Sequence, residues 1–364
     1  MKKWLVTGGA GFIGTNFIMK VVGGNIAHVL NIDKLTYAGM SENLDPLMPL
    51  RHYGFCQEDI CDQSGLERQF LEFQPDAVIN FAAETHVDRS IDSPEPFFQT
   101  NVIGTMRLLN VIQKYLPSLA IEKRRQFRFL HVSTDEVYGD LEEEDLPFSE
   151  KNQYRPNSPY AASKAGSDHL VRSYWKTFHL PAIISNCSNN YGPYQFPEKL
   201  IPLTIIKALN WKPIPIYGDG LQRRDWIYVE DHVDALLKIL ESGEVGETYN
   251  VGGGEERANL EIVTKICRTL DRLTPGKTSY QELITHVKDR PGHDRRYAIN
   301  AEKIKSQLGF ECQYSLEMGL EKTISWYINH RQWWEKITQQ RYQGHRLGVK
   351  VEADVFQRNT LNFP

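Results

Sequence analysis

The stretch "KWLVTGGAGFIGTNF" limits the fold more than any other part of the chain. A run of aromatic and branched apolar residues stops at Gly8, an amphipathic pattern begins at Phe12, and only Gly9, Ala10 and Gly11 lie between. A strand that turns so tightly into a helix leaves the helix N-terminus, with its unpaired N–H groups and positive dipole end, at the edge of a sheet. The rhythm then repeats. "HVLNID", "HYGFCQ", "AVINFAA", "FRFLHVS" and "PAIISNC" are short apolar runs of the kind buried on both faces of a sheet. Helical periodicity fills the gaps at about 12–22, 63–73, 96–116 and 160–178. Strand and helix in alternation predict an α/β fold, a doubly wound parallel sheet with helices on both faces.

After about residue 188 the alternation loosens. "YGPYQFPEKLIP", "IPIYGDG" and "DRPGHDRR" read as loops around a smaller C-terminal α/β lobe, with helices near 230–242, 259–271 and 315–330. A chain of 364 residues exceeds one ordinary core. The expected division is a sheet domain over 1–188 and a lobe over 189–335, with segments such as 226–251 returning to the sheet domain; a polar tail without clear periodicity covers 336–364. The formal charge of −4 gives no general pull toward nucleic acid or anionic membrane. Glycines break the apolar start too soon for a signal peptide or a membrane span. Five cysteines, an odd count without metal-ligand spacing, read as reduced thiols of a cytoplasmic protein. The histidines His86, His131, His232 and His293 show no metal spacing either, and no metal is expected.

Three local patterns carry chemistry. Gly9 to Gly14 fits G-x-G-x-x-G, with Gly8 one step earlier; glycines there let backbone N–H groups approach a pyrophosphate at a helix N-terminus. Asp33 ends the next strand, where a carboxylate accepts hydrogen bonds from a ribose diol and repels a 2′-phosphate. That favours NAD over NADP, with Lys34 as the counterargument. In "SPYAASK", Tyr160 and Lys164 are one helical turn apart and share a face. An ammonium beside the phenol, near a positively charged nicotinamide, is expected to lower the phenol toward neutrality and make it a base for an alcohol. Finally, "STDEVYGD" sets Asp135 and Glu136 side by side at the end of a buried strand. Two such carboxyls tend to hold one proton between them. Consecutive strand residues face opposite ways, so the backbone must turn for both to serve one site.

Taken together, these elements resemble the extended short-chain dehydrogenase/reductase family, which acts on nucleotide sugars. "AAETHVDRSI", "STDEVYGD", "NCSNNYGPYQFPEKLIP", "RRDWIYVEDH", "ETYNVGG" and "DRPGHDRRYAI" narrow the resemblance to its dTDP-glucose 4,6-dehydratase group, from the start to about residue 335. Thr85, where the group's pattern has Ser, and a short stretch after Gly139 depart from it. The resemblance implies a Rossmann domain holding NAD and a lobe holding dTDP-glucose. Within the family, a Ser in place of Asp135 goes with other dehydratases and decarboxylases, and 4-epimerases lack the acidic pair.

Residue by residue, the resemblance implies that Thr134 hydrogen-bonds the C4 oxygen of the hexose, Asp135 is the acid that protonates the C6 hydroxyl, and Glu136 is the base at C5. Around the cofactor it places Gly8, Gly11, Phe12, Ile13 and Gly14 at the turn, then Asp33, Lys34 and Thr36. Asp59 and Ile60 would flank the adenine, Thr100 the ribose side and Asn190 the nicotinamide amide, with Ala82, Ala83, Tyr160 and Lys164 also in contact. For the nucleotide diphosphate it implies Asn189, Lys199, Arg224, Asn259 and Arg290, with Pro215 and Tyr217 near the base. Thr85, His86, Glu198, Leu200 and His293 complete the expected substrate contacts. The helices 96–116 and 160–178 resemble the pair that builds the family's homodimer.

Overall fold

A computed structural model describes residues 1–290 and 292–342. Twelve strands are named here in chain order: β1 Lys2–Thr7, β2 Ala27–Asp33, β3 Tyr53–Gln57, β4 Ala77–Asn80, β5 Arg128–Thr134, β6 Ala182–Cys187, β7 Asn189–Tyr191, β8 Ile214–Tyr217, β9 Arg223–Tyr228, β10 Thr248–Val251, β11 Glu256–Ala258 and β12 Ile284–Val287. Seven of them form one parallel sheet in the order β10-β6-β5-β4-β1-β2-β3. The apolar runs fit because both faces are covered. The helices Phe12–Gly23 and Val229–Ser242 pack Ile18, Val21, Leu236 and Ile239 on one face. Gln63–Phe73, Thr105–Tyr115 and Pro159–Phe178 pack Leu66, Leu108, Ile112 and Val171 on the other. The order runs outward from β1 in one direction and from β4 in the other. The carboxyl ends of these two strands therefore flank a topological switch point, where a sheet of this kind leaves a crevice.

The smaller lobe consists of a three-stranded sheet in the order β11-β9-β7, the parallel pair β8–β12, and the helices Leu200–Leu209, Asn259–Leu273 and Leu316–Asn329. Its core gathers Ile205, Ile216, Ile262, Ile266 and Ile324. The chain returns from the lobe to the main sheet, where Thr248–Val251 pairs with β6 as an edge strand.

Some expected loops are ordered elements. "IPIYGDG" carries β8, whose partner β12 is remote in sequence and so left no local signal. "EKLIP" runs straight into the Leu200–Leu209 helix, where Pro202 sits in the first turn and its missing N–H costs nothing. The single helix expected over 96–116 holds a π-helical turn, Phe98–Gly104, between Glu95–Phe97 and Thr105–Tyr115. Beyond Trp334, where periodicity fades, the Arg331–Gln340 helix continues and buries Ile337 against Met40, Phe196 and Tyr342. Residues 343–364 of the expected tail lie outside the described residues. Among the described residues no helix is long and apolar enough to cross a membrane.

Candidate active site

A cleft opens at the switch point, and its walls come from the carboxyl ends of the sheet strands and from the lobe. The glycine turn forms its floor. A side chain at Gly8 would stand 2.4 Å from the backbone N of Ala82, and one at Gly14 would stand 2.5 Å from the carbonyl O of Gly8. The Phe12–Gly23 helix begins with no side-chain cap and no acid in its first turn, so its N–H groups and dipole remain free for an anion. Asp33 sits at the end of β2 with Oδ2 accepting from Ala10 N at 2.9 Å and Oδ1 from Leu35 N at 2.8 Å. Burial raises its pKa, against those two N–H groups and the charge of Lys34. Lys34 donates to Thr100 Oγ1 at 2.9 Å and pairs with Asp59 at 3.5 Å, so its ammonium is already engaged within the protein. Thr100 reaches the cleft from the π-helical turn, one of the common settings of such turns. Gly11, Phe12, Ile13, Thr36, Ile60, Ala82, Ala83 and Asn190 line the same cleft. An uncapped helix end, a floor that a Cβ would fill and a carboxylate at the far end together fit a dinucleotide.

The backbone turns at the acid pair. β5 ends at Thr134, and a 3₁₀ turn, Asp135–Tyr138, begins at the next residue, capped by Thr134 Oγ1 accepting from Glu136 N at 3.3 Å. Both carboxyls thereby line one cleft with Tyr160 and Lys164. Asp135 is 2% exposed, and its Oδ2 has no hydrogen-bond partner among the described residues. Burial first, then the charges of Glu136 and Asp225, hold its pKa well above the usual carboxyl range. Burial also raises Glu136, but Arg290, Lys199 and Arg224, in that order, oppose the rise. Both carboxyls are thus raised, and the opposing cations act chiefly on Glu136.

Burial is the main cause that raises the Tyr160 pKa, followed by the charges of Glu136 and Cys187, with a hydrogen bond from Thr134 opposing; the expected lowering depends on a positive nicotinamide ring as well as on Lys164. Lys164 donates from Nζ to the carbonyl of Val132 at 2.9 Å, and burial lowers its own pKa while Asp168 and Cys187 raise it.

On the lobe side, Thr85, Asn189, Glu198 and Lys199 line the cleft. Lys199 donates to the carbonyl of Thr85 at 3.0 Å and precedes Leu200, the first residue of a helix with no side-chain cap and no first-turn acid. Glu198 is gripped by Tyr37 OH at 2.9 Å and Arg89 Nε at 3.2 Å, with His86 at 3.8 Å. His86, Leu200, Pro215, Tyr217, Arg224, Asn259, Arg290 and His293 stand outside the cleft lining. Arg224 lies over the Tyr297 ring at 4.3 Å, its Nη2 donating to the Asp294 carbonyl at 2.9 Å. Arg290 pairs with Asp88 at 2.6 Å. His293 hydrogen-bonds Asp289 at 2.6 Å, and burial brings its pKa down to about 4. Asn259 opens the Asn259–Leu273 helix, and Pro215 lies in β8.

Sequence reasoning passed over four acids and thiols here. Asp88 lies inside "AAETHVDRSI", between Val87 and Arg89. Asp168 follows Lys164 by one more helical turn and accepts from Ser133 Oγ at 2.8 Å and Tyr154 OH at 3.1 Å. Of these four only Cys187 and Glu84 line the cleft, and burial pushes the Cys187 thiol up to about 12; both lie inside quoted motifs, where they were given no role.

The family model described as GDP-mannose 4,6 dehydratase matches residues 5–323. A dTDP-glucose 4,6-dehydratase of Neisseria meningitidis is 51% identical over 353 residues, covering 96% of this chain and 99% of its own. The chain belongs to the dTDP-glucose 4,6-dehydratase family. Solved structures of the family agree in shape. A Bacillus anthracis dTDP-glucose 4,6-dehydratase in complex with NAD has 43% identity and a TM-score of 0.83, covering 93% of this chain and 100% of that one. A Streptomyces venezuelae dTDP-glucose 4,6-dehydratase with NAD and TYD bound has 41% identity and a TM-score of 0.84, covering 92% and 99%.

Proposed function

We propose that the chain is an NAD-dependent hydro-lyase that converts dTDP-glucose to dTDP-4-keto-6-deoxyglucose and water. The observation that carries this reading is the acid pair at the end of β5, which the Asp135–Tyr138 turn brings into one cleft with Thr134, Tyr160 and Lys164, Asp135 raised by burial and Glu136 under the opposing charges of Arg290, Lys199 and Arg224. When bound in the glycine-floored half of the cleft, NAD supplies a hydride acceptor for C4, a donor that returns the same hydride to C6, and a positive ring that favours the Tyr160 phenolate. Tyr160, with Lys164 behind it, takes the proton of the C4 hydroxyl, and Thr134 hydrogen-bonds that oxygen. The C4 ketone acidifies the hydrogen on C5. Glu136 removes it as Asp135 protonates the C6 hydroxyl, which leaves as water. Glu136 then returns a proton to C5. The products balance, since glucose loses water with no net change of oxidation level.

Asn189, Lys199, Arg224, Asn259 and Arg290 hold the diphosphate, where converging cations form charge-assisted hydrogen bonds. Pro215 and Tyr217 meet the base. The engagement of Lys34 by Thr100 and Asp59 supports NAD over NADP. Five free cysteines support a cytoplasmic setting, and the side-by-side helices Thr105–Tyr115 and Pro159–Phe178 are the surface for a homodimer. The test is dTDP-glucose carrying deuterium at C4. Label at C6 of the same sugar molecule, a 4-keto product and no free reduced cofactor are expected. Stoichiometric reduced cofactor in solution would mean a simple dehydrogenase, and inversion at C4 with the C6 hydroxyl retained would mean an epimerase.

A further inference from the structure

Asp88 lies on the short helix Val87–Asp92 of the Rossmann domain and is 3% exposed. Its carboxylate reaches across to two residues of the lobe. Oδ1 accepts from Arg290 Nη1 at 2.6 Å, and Oδ2 accepts from Tyr217 OH at 3.4 Å. These donors come from neighbouring positions: Tyr217 ends β8, its partner Val287 ends β12, and Arg290 follows shortly after. Among the described residues the guanidinium is held through Nη1, and its buried Nε has no hydrogen-bond partner. A long side chain that would otherwise lose rotamer freedom on meeting an anion is thus ordered in advance, with an N–H still to give. Arg290 is also the charge that most strongly opposes the raising of Glu136, so its location bears on the base as well as on the nucleotide.

We propose that Asp88 is a positioning residue for nucleotide recognition. It holds Arg290 and Tyr217 of the lobe in the arrangement that receives the diphosphate and the base, so that the Rossmann domain sets how tightly the lobe grips its nucleotide. This rests on the reading above that Arg290 and Tyr217 contact the nucleotide.

The test compares the holoenzyme with Asp88→Asn, Arg290→Ala and the double variant, measuring dTDP affinity by calorimetry and KM and kcat for dTDP-glucose. Asp88→Asn should weaken dTDP binding by about tenfold and raise KM in step, with a much smaller change in kcat. If Asp88 acts through Arg290, the double variant binds dTDP no more weakly than Arg290→Ala alone. Additive losses, or a fall in kcat with affinity unchanged, overturn the role of Asp88 while leaving the nucleotide contacts in place. Unchanged affinity in Arg290→Ala itself overturns the contacts on which the proposal stands. Should Asp88→Asn fail to fold, Asp88→Glu keeps the charge and displaces it. That variant should recover part of the dTDP affinity relative to Arg290→Ala, and affinity equal to the parent's would overturn the proposal.

Discussion

Asp135→Asn replaces a titratable carboxyl with a neutral amide of almost the same volume, and the structure fixes the direction of two separate consequences. Burial, then Glu136 and Asp225, raise the Asp135 carboxyl, while Arg224 and a Thr134 hydrogen bond oppose only in part. A carboxyl whose pKa is higher in the folded than in the unfolded state binds more protons when folded. Stability therefore falls as pH rises from the unfolded range, about 4, up to the folded pKa, by about 1.36 kcal/mol for each unit of separation. At neutral pH the parent bears that cost and the asparagine variant does not. The gain is on the order of 1–3 kcal/mol, the desolvation scale of one buried polar group, since the carboxyl is 2% exposed. Unfolding followed across pH should show the variant more stable than the parent at neutral pH, with the advantage shrinking as pH falls toward about 4. Turnover should move the opposite way, falling by about 10²–10⁴, the usual contribution of a general acid. Oxidation at C4 remains possible, so the near-ultraviolet absorbance of reduced cofactor should appear on the enzyme and persist. A variant less stable at every pH, or a gain independent of pH, would refute the raised Asp135 carboxyl.

Tyr160→Phe leaves no phenol for the C4 hydroxyl and should abolish cofactor reduction in a single turnover; if it stalls at the same step as Asp135→Asn, the two residues do not divide the work as proposed. Arg290→Ala should raise KM by about tenfold or more and, because Arg290 most strongly opposes the raising of Glu136, move the acid limb of the pH–rate profile to higher pH. A limb that stays in place would show that this charge does not tune the base. Thymine exceeds uracil by one methyl, worth about 1–3 kcal/mol in an apolar pocket, so dTDP-glucose should exceed UDP-glucose at least about tenfold in kcat/KM, and equal values would sink the nucleotide assignment alone.

The parallel sheet was legible because its signal is local. Six of its seven strands are apolar runs that declare themselves without their partners, and the glycine turn after β1 locates the switch point. The seventh, Thr248–Val251, is short; the expected return of segments such as 226–251 to the sheet domain gave it no partner, and its pairing with β6 places it at the edge. β8 and β12 went unread for the same reason: each depends on a strand far away in sequence. The π-helical turn at Phe98–Gly104 keeps helical periodicity closely enough to be taken for plain helix, yet it orients Thr100 toward Lys34 and Asn101 toward the backbone of Glu84.

Side-chain identity at the acid pair was readable in one glance at "STDEVYGD"; its electrostatics were not. Asp135 and Glu136 differ by one methylene, and neither composition nor spacing says which keeps the proton. The difference is made by position. Asp135 is raised by the buried carboxylate of Asp225 with only Arg224 among the cations opposing, whereas Arg290, Lys199 and Arg224 all oppose the raising of Glu136 and Asp294 adds to it. Asp225 and the three cations belong to the lobe or to its first turns, while the acid pair belongs to the Rossmann sheet. The cations proposed to hold the diphosphate are thus the ones that keep Glu136 able to lose its proton. A cleft assembled from two parts of the chain can in this way bind a charged nucleotide and assign acid and base with the same three side chains, an economy that appears only when both parts are folded against each other.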